Sequence, residues 1–169
     1  MKSLQLQKRK NIRLKDYNYG SQGAYFITIC IKERHNLLWE NVVGASCARP
    51  CLHSSDIPLS NIGKIVEKEI NKIESFYNNV VIDKYVVMPN HIHLIIIIND
   101  TESGRPKVAP TTISRIIQQF KGSITKQIGF SMWQKLFHDH IIRNEAEYIK
   151  ILKYIEENPL NWKSDCYYK

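Results

Sequence analysis

The feature that most constrains this chain is the run His91 to Ile98, in which two histidines stand among branched aliphatic residues. A short apolar run of this kind is typical of a buried β-strand. Side chains alternate across a strand, so His91 and His93 should share one face, with their Cα atoms about 6.6 Å apart. The opposite face should then carry four aliphatic residues, namely Ile92, Leu94, Ile96 and Ile98.

Two neutral imidazoles in such an apolar run need partners, because burying an unpaired polar group costs on the order of several kcal/mol. The spacing of His91 and His93 therefore predicts that both bind one divalent ion. The alternative is that one histidine bonds to backbone in the Pro89-Asn90 turn while the other is a satisfied core residue. A histidine-triad nucleotide hydrolase is not expected, because that chemistry uses a third histidine where this chain has Ile95.

Charge indicates the kind of partner. The 169 residues contain 24 Lys plus Arg against 16 Asp plus Glu, a net charge of +8. This balance favours a polyanion, and binding should weaken as salt is added.

The length fits one domain, residues 1–169. No apolar window is long enough to cross a membrane, and Met1 to Lys15 lacks the apolar centre of a signal peptide, so we expect a cytoplasmic protein without a membrane partner.

The four cysteines lack paired Cys-x-x-Cys spacing and are expected to be reduced and structural. Cys30 falls within an apolar strand pattern, where a buried thiol is ordinary. Cys47, Cys51 and His53 could hold zinc, but their spacing is irregular and a fourth ligand is absent.

Basic residues gather in three parts of the chain. Residues 1–19 form a basic arm with interleaved tyrosines, which suits phosphate contact and base stacking as well as a solvated tail. Of two expected loops, 44–59 and 99–110, the second is basic, and a helix after it has a basic outer face. The expected DNA-binding residues are Lys8, Arg9, Lys10, Arg13, Lys15, Arg105, Lys107, Arg115 and Lys121.

The periodicity of the chain predicts the order β, α, β, β, α, β, followed by a C-terminal helix. Strands are expected at residues 24–32, 80–88, 91–98 and within 133–143, with a short extra strand at 38–43. Helices should begin after Ser60, after Thr111 or Thr112, and after Asn144, where Glu147 completes a capping-box pattern. The predicted fold class is α+β, a ferredoxin-like split βαβ arrangement with helices packed on one antiparallel sheet.

The last predicted helix carries two polar side chains beside its apolar stripe. Tyr154 and Asn158 lie one turn apart on its flank. The inward stripe of the helix consists of Tyr148, Ile151, Leu152 and Ile155. A phenol and a carboxamide at the edge of a core can pack without a chemical role. The histidine pair elsewhere in the chain makes a shared site the stronger interpretation.

Two blocks of the chain resemble the HUH tyrosine transposases of the single-strand insertion-sequence type, and most closely the REP-associated tyrosine transposases. The first block is His91-Ile92-His93 after Met88-Pro89-Asn90. The second runs from Trp133-Gln134 through Phe137, Asp139-His140 and Arg143 to Tyr154-Ile155-Glu156-Glu157-Asn158-Pro159. Arg13-Leu14-Lys15 and Tyr25-Phe26-Ile27-Thr28 are similar to the family's first strand and its approach, so the resemblance spans roughly residues 8–163.

This resemblance implies a metal-dependent endonuclease and strand transferase acting on single-stranded or hairpin DNA. In that family two histidines hold a divalent ion, a late tyrosine is the nucleophile, and a carboxamide one turn later completes the metal site. Those roles fall on His91, His93, Tyr154 and Asn158. Many transposing members have glutamine at the last position, so His140 is a substitute candidate for the third ligand. The ion should be Mg²⁺ or Mn²⁺, and relatives occur as monomers and as homodimers.

The expected chemistry is attack of Tyr154 on a phosphodiester, which gives a 5′-phosphotyrosine and a free 3′-hydroxyl. The ester keeps the bond energy, so a 3′-hydroxyl can rejoin the strand without ATP. One alternative is a DNA-repeat or RNA-binding protein that has this fold and no catalytic activity. Another is an HUH replication or conjugation initiator, although such proteins are usually longer.

Overall fold

The computed structural model describes residues 21–40, 58–100 and 112–168. The basic arm, most of the loops at 44–59 and 99–110, and the zinc alternative lie outside the described residues. So do seven of the predicted DNA-binding residues: Lys8, Arg9, Lys10, Arg13, Lys15, Arg105 and Lys107.

A four-stranded antiparallel sheet forms the centre of the protein. Its strands are β1 (Gly23–Cys30), β2 (Val80–Val87), β3 (His91–Ile98) and β4 (His138–Ile142), in the spatial order β2-β3-β1-β4. The histidine-containing run is thus an interior strand, paired with β2 on one side and with β1 on the other. The predicted α+β class with an antiparallel split βαβ sheet is confirmed.

Four α-helices accompany the sheet in the described ranges: α1 (Asn61–Asn71), α2 (Ile73–Phe76), α3 (Ile113–Ile128) and α4 (Glu145–Glu157). Local capping explains where three of them begin, because the side chains of Ser60, Thr112 and Asn144 each accept a hydrogen bond from a first-turn N–H. Gly129 ends α3 in the left-handed region at φ 83°. The predicted starts are therefore confirmed.

The two faces of the sheet are covered by different helices. On one face, Ile92 and Leu94 of β3 belong to a core that includes Val66 of α1 and Phe120 of α3. On the other face, Ile95 packs with Ile155 of α4 in a second, smaller core. Alternation along β3 puts His91 and His93 on the same face as Ile95, so α4 covers the histidine face.

Three details differ from the expectation. In the described part of the extra strand predicted at 38–43, the structure has a single bridge, between Trp39 and Leu59. The N–H groups of Leu38 and Glu40 bond to carbonyls of two separate segments, so they do not pair with one partner strand. The first helix divides at Lys72 into α1 and α2. The last strand is confined to five residues, after an isolated bridge at Trp133.

None of the helices in the described ranges combines the length and the apolar character that crossing a membrane requires.

Candidate metal and nucleophile site

His91 and His93 lie side by side on β3. Their rings are 4.6 Å apart between centroids, and their Nε2 atoms are separated by 3.0 Å. Both side chains are buried, with 0% and 1% of their surfaces exposed. The predicted pairing of the two imidazoles on one face is present, and it follows from strand alternation within a fully paired interior strand.

The other nitrogen of each ring also has a partner. Asn90 Oδ1 lies 2.9 Å from His91 Nδ1, and Thr28 Oγ1 lies 2.8 Å from His93 Nδ1. The β1–β3 register explains the second contact, because Thr28 stands opposite His93. These contacts turn the two Nε2 atoms toward each other.

Both imidazoles are held in the neutral form. Burial lowers the pKa of His91 to about 3, and the nearby Arg34 charge acts in the same direction. Burial also lowers the pKa of His93 well below its ordinary value; His91 adds to this shift, and the Asp165 carboxylate opposes it. Neutral imidazole is the form that binds metal ions, so the pair is ready for coordination at neutral pH.

Tyr154 of α4 brings a phenol to this pair. Its hydroxyl lies 3.3 Å from His93 Nε2, and its ring meets Phe26 edge-on at 6.1 Å. Burial raises the pKa of Tyr154 to about 12, the Asp165 charge adds to the rise, and a hydrogen bond with Asn158 opposes it. The side chain is still 40% exposed, so a protonated phenol faces both the histidines and solvent.

Asn158 lies one turn after Tyr154 and is buried, with 4% exposed. Its Nδ2 donates a hydrogen bond to Asp165 Oδ2 at 3.0 Å. Its Oδ1 is buried and has no hydrogen-bond partner among the described residues. Buried carbonyl oxygens are nearly always paired, so this atom is available for a further ligand.

Asp165 completes a group that sequence reasoning missed. Ligand atoms of His91, His93 and Asp165 all lie within 4.8 Å of one another. The backbone N–H of Tyr167 donates to Asp165 Oδ1 at 2.6 Å, which orients the carboxylate. Asp165 follows a short turn after α4 and belongs to no periodic pattern or motif, so the sequence offered no distinctive signal for it.

The segment after α4 packs against the histidine pair. The Tyr167 ring lies 4.5 Å from the His91 ring, and its carbonyl accepts a hydrogen bond from Asn90 Nδ2 at 2.9 Å. Arg34 lies 5.1 Å above the same tyrosine ring and donates to the carbonyl of Cys166. These contacts position Asp165 beside the pair.

The donor set fits a divalent cation. Two ligands at right angles around an ion, each about 2.1 Å away, are roughly 3 Å apart, which matches the 3.0 Å between the two Nε2 atoms. Asp165 supplies negative charge, and Asn158, which donates a hydrogen bond to Asp165, has an unpaired oxygen. Two imidazoles with oxygen donors suit Mn²⁺ and also accept Mg²⁺.

Three other residues, which were predicted for the metal site or for DNA binding, make contacts outside the group of His91, His93 and Asp165. His140 Nε2 lies 2.6 Å from Glu147 Oε1, and His140 is not part of the group of three. Arg115 and Lys121 lie on α3, which packs on the sheet face opposite the histidines. The Lys121 ammonium donates to the carbonyls of Gln134 and Leu136 at 2.9 and 3.1 Å, and burial lowers its pKa to about 8.

Comparisons with known proteins found a relative by sequence and a solved structure of similar fold. No protein-family model matches the chain. An uncharacterized protein of Haemophilus influenzae is 34% identical over 178 positions, which cover 95% of this chain and 93% of that protein. The structure of a REP-associated tyrosine transposase bound to a REP hairpin superposes with a TM-score of 0.60 at 22% identity, covering 89% of this chain and 74% of the other.

Proposed function

We propose that this chain, which belongs to one family with the Haemophilus influenzae protein and has the fold of a REP-associated tyrosine transposase, cleaves and rejoins single-stranded DNA through Tyr154. The observation that carries the proposal is the 3.3 Å between the Tyr154 hydroxyl and His93 Nε2. A candidate nucleophile thus lies directly beside a candidate metal site. Transposition and recombination of DNA are the processes that such a reaction serves.

The cation would be held by His91 and His93, together with the Asp165 carboxylate and the free oxygen of Asn158. When bound, a divalent cation supplies charge neutralisation for the phosphate oxygens at the scissile bond. These four side chains come from β3, from the end of α4 and from the segment after it.

Tyr154 performs the covalent step. Its phenol oxygen attacks phosphorus, the bond from phosphorus to the 3′-oxygen breaks, and the DNA remains joined to the protein as a 5′-phosphotyrosine. Because the pKa of Tyr154 is about 12, the phenol must lose its proton during attack. The side chain of Tyr154 is 40% exposed, so we propose that water accepts this proton and that the departing 3′-oxygen receives a proton from water. The reverse step rejoins a strand.

The proposed partner is single-stranded DNA, including folded hairpins. The net charge of +8 supports a polyanionic partner, and the REP-associated tyrosine transposase of similar fold is bound to a REP hairpin. We propose the basic arm, the 99–110 loop and the exposed Arg115 as phosphate contacts. Lys121 is better assigned to holding the backbone before β4, because carbonyls already occupy its ammonium.

A monomer suffices for the proposed reaction, because Tyr154 lies beside the histidine pair of its own chain. A homodimer is compatible with this arrangement, because the two chains would not have to exchange a tyrosine. The proposed location is the cytoplasm, in association with the nucleoid.

A non-catalytic protein that binds DNA repeats or RNA is the second candidate. The observation that favours it is the segment after α4, in which the Tyr167 ring lies against His91 and would have to leave room for a phosphate. Such a protein would use the same fold and charge without forming a covalent bond.

A denaturing gel separates the two candidates. Purified protein, Mn²⁺ and labelled single strands from the DNA flanking its gene should give a protein–DNA adduct. Tyr154→Phe and His91→Ala should each abolish the adduct, while DNA affinity stays within a few-fold of wild type. Tyr148→Phe is the matched control, because Tyr148 lies on the same helix and its hydroxyl bonds to Asp83 instead. Tight binding without an adduct under any metal would favour the non-catalytic candidate.

A further inference from the structure

The orientation of the Asn90 amide is fixed by its surroundings. The side chain is fully buried, and its Nδ2 lies 2.9 Å from the carbonyl oxygen of Tyr167 and 3.3 Å from that of Arg34. Two carbonyl oxygens can only accept hydrogen bonds, so the NH₂ group must face them. The oxygen of the amide therefore faces His91 Nδ1, at 2.9 Å.

This orientation selects one tautomer of His91. An amide oxygen cannot donate, so His91 Nδ1 must carry the hydrogen in the 2.9 Å contact. In the neutral ring, Nε2 then carries a lone pair. His91 Nε2 is consequently an acceptor whether or not a cation is present.

The tautomer of His93 depends on whether a cation is present, because its Nε2 lies 3.0 Å from His91 Nε2, which carries a lone pair. Without a cation, the favourable arrangement has a hydrogen on His93 Nε2, donated to His91, and His93 Nδ1 then accepts from the Thr28 hydroxyl. With a cation between the two Nε2 atoms, both must present lone pairs, and His93 Nδ1 must carry the hydrogen. Thr28 Oγ1 can serve both states, because a hydroxyl rotates and either donates or accepts.

We propose that Asn90 and Thr28 are positioning residues that set the imidazole tautomers of this site: Asn90 keeps His91 permanently in the metal-binding tautomer, and Thr28 lets His93 switch tautomer by reversing its hydrogen bond when a cation binds. The proposal rests on the proposed metal site and adds the residues that prepare it. The proton moves between the two nitrogens of the His93 ring, and the ring stays neutral throughout. No other reactant is needed.

The proposal predicts opposite tautomers for the two histidines in chelator-treated protein. Long-range ¹H–¹⁵N NMR spectra of ¹⁵N-labelled protein distinguish the tautomers through the imidazole nitrogen shifts. We expect the hydrogen on Nδ1 of His91 and on Nε2 of His93. Adding Zn²⁺, a diamagnetic replacement for Mn²⁺, should move the hydrogen of His93 to Nδ1. The same tautomer for both histidines in metal-free protein would overturn the proposal.

Metal affinity provides the second test. In the loaded state the Nδ1–H of His93 is the stronger donor, because the cation polarises the ring, so losing its acceptor should weaken binding. Thr28→Val, which keeps the shape of the side chain, should weaken Mn²⁺ binding by roughly 10- to 100-fold in calorimetry. Thr28→Ser keeps the hydroxyl and should bind within a few-fold of wild type.

Failure of this inference can be distinguished from failure of the metal site. If wild type binds Mn²⁺, His91→Ala does not, and Thr28→Val binds as well as wild type, the tautomer proposal is wrong and the site stands. If Thr28→Ser is as weak as Thr28→Val, the hydroxyl is not the cause and the proposal is also wrong. If wild type binds neither Mn²⁺ nor Zn²⁺, the metal site is wrong and this inference falls with it.

Discussion

Asp165 provides the negative charge at a site whose other proposed donors, two neutral imidazoles and a carboxamide, have none. A carboxylate near a divalent cation strengthens binding through its charge as well as through its lone pairs. Its orientation is fixed by hydrogen bonds from Asn158 Nδ2 and from the Tyr167 N–H. The proposed function therefore depends on Asp165 as well as on the histidines.

Removing this charge should weaken the metal site. We expect Asp165→Asn to reduce Mn²⁺ affinity by about tenfold or more, because the substitution keeps the size of the side chain and removes its charge. Calorimetric titration of the metal alone, without DNA, measures the change.

Asp100→Asn is the matched control, since it removes an exposed carboxylate at the other end of β3. Wild-type affinity in the Asp165 variant, combined with loss of binding in His91→Ala, would exclude Asp165 as a ligand.

At the residue scale, the histidine pair could be predicted because the period of a strand fixes which side chains share a face. Tyr154 and Asn158 could be placed together because one helical turn separates them. Asp165 could not, since it reaches the site through tertiary contacts of Tyr167 and Arg34 that no local pattern encodes. The seven basic residues of the arm and the loop stay predictions.

At the element scale, the first turn of α1 packs closely against the chain that precedes it. A Cβ added at Gly63 would run into the carbonyl oxygen of Leu38, while the N–H of Gly63 is capped by Ser60. Backbone cannot move aside as a side chain can. Gly122, in the middle of α3, has open space instead: a Cβ there would meet no atom of the described residues within 4 Å.

These two glycines give opposite predictions. Gly63→Ala should lower the free energy of unfolding by about 2 kcal/mol or more, because the added methyl group displaces α1 from Leu38. Gly122→Ala should raise it by about 1 kcal/mol, because alanine has the higher helix propensity and fits without contact. Urea unfolding followed by circular dichroism measures both, and equal stability of the two variants would contradict the packing described for α1.

The start of a helix could be predicted from the sequence where a nearby side chain caps it. The side chains of Ser60, Thr112 and Asn144 accept hydrogen bonds from the N–H groups three residues later. These residue types are typical N-caps, so the sequence alone indicates the helix starts. The extra strand expected at 38–43 depended on a partner strand, and Leu38 and Glu40 instead bond to separate segments. Pairing over long distances in the sequence is decided by the whole fold.

At the scale of the whole molecule, the buried histidines should make metal-free protein sensitive to mild acid. Burial lowers the pKa of both His91 and His93 below the ordinary value of 6.5, so the unfolded chain binds protons that the folded protein does not. The stabilisation is therefore fully present above pH 6.5 and is lost as the pH falls toward the folded pKa, about 3 for His91.

Between pH 7 and pH 5, His91 alone should reduce the free energy of unfolding by about 2 kcal/mol. Urea unfolding of chelator-treated protein at several pH values in this window measures the loss before most carboxylates titrate. A His91→Gln, His93→Gln double variant is the control, and its stability should depend less on pH. The same slope in variant and wild type would contradict the buried neutral pair.

The most direct test of the account is to identify the amino acid that carries the DNA. Protein incubated with Mn²⁺ and a cleavable single strand is digested with nuclease and protease, and the nucleotide-bearing peptide is sequenced by mass spectrometry. Of the nine tyrosines in the chain, Tyr154 should carry a 5′-linked nucleotide, and the released strand should end in a 3′-hydroxyl. A nucleotide on Tyr148 or Tyr167, or cleavage without any modified tyrosine, would contradict the assignment of Tyr154 as the nucleophile.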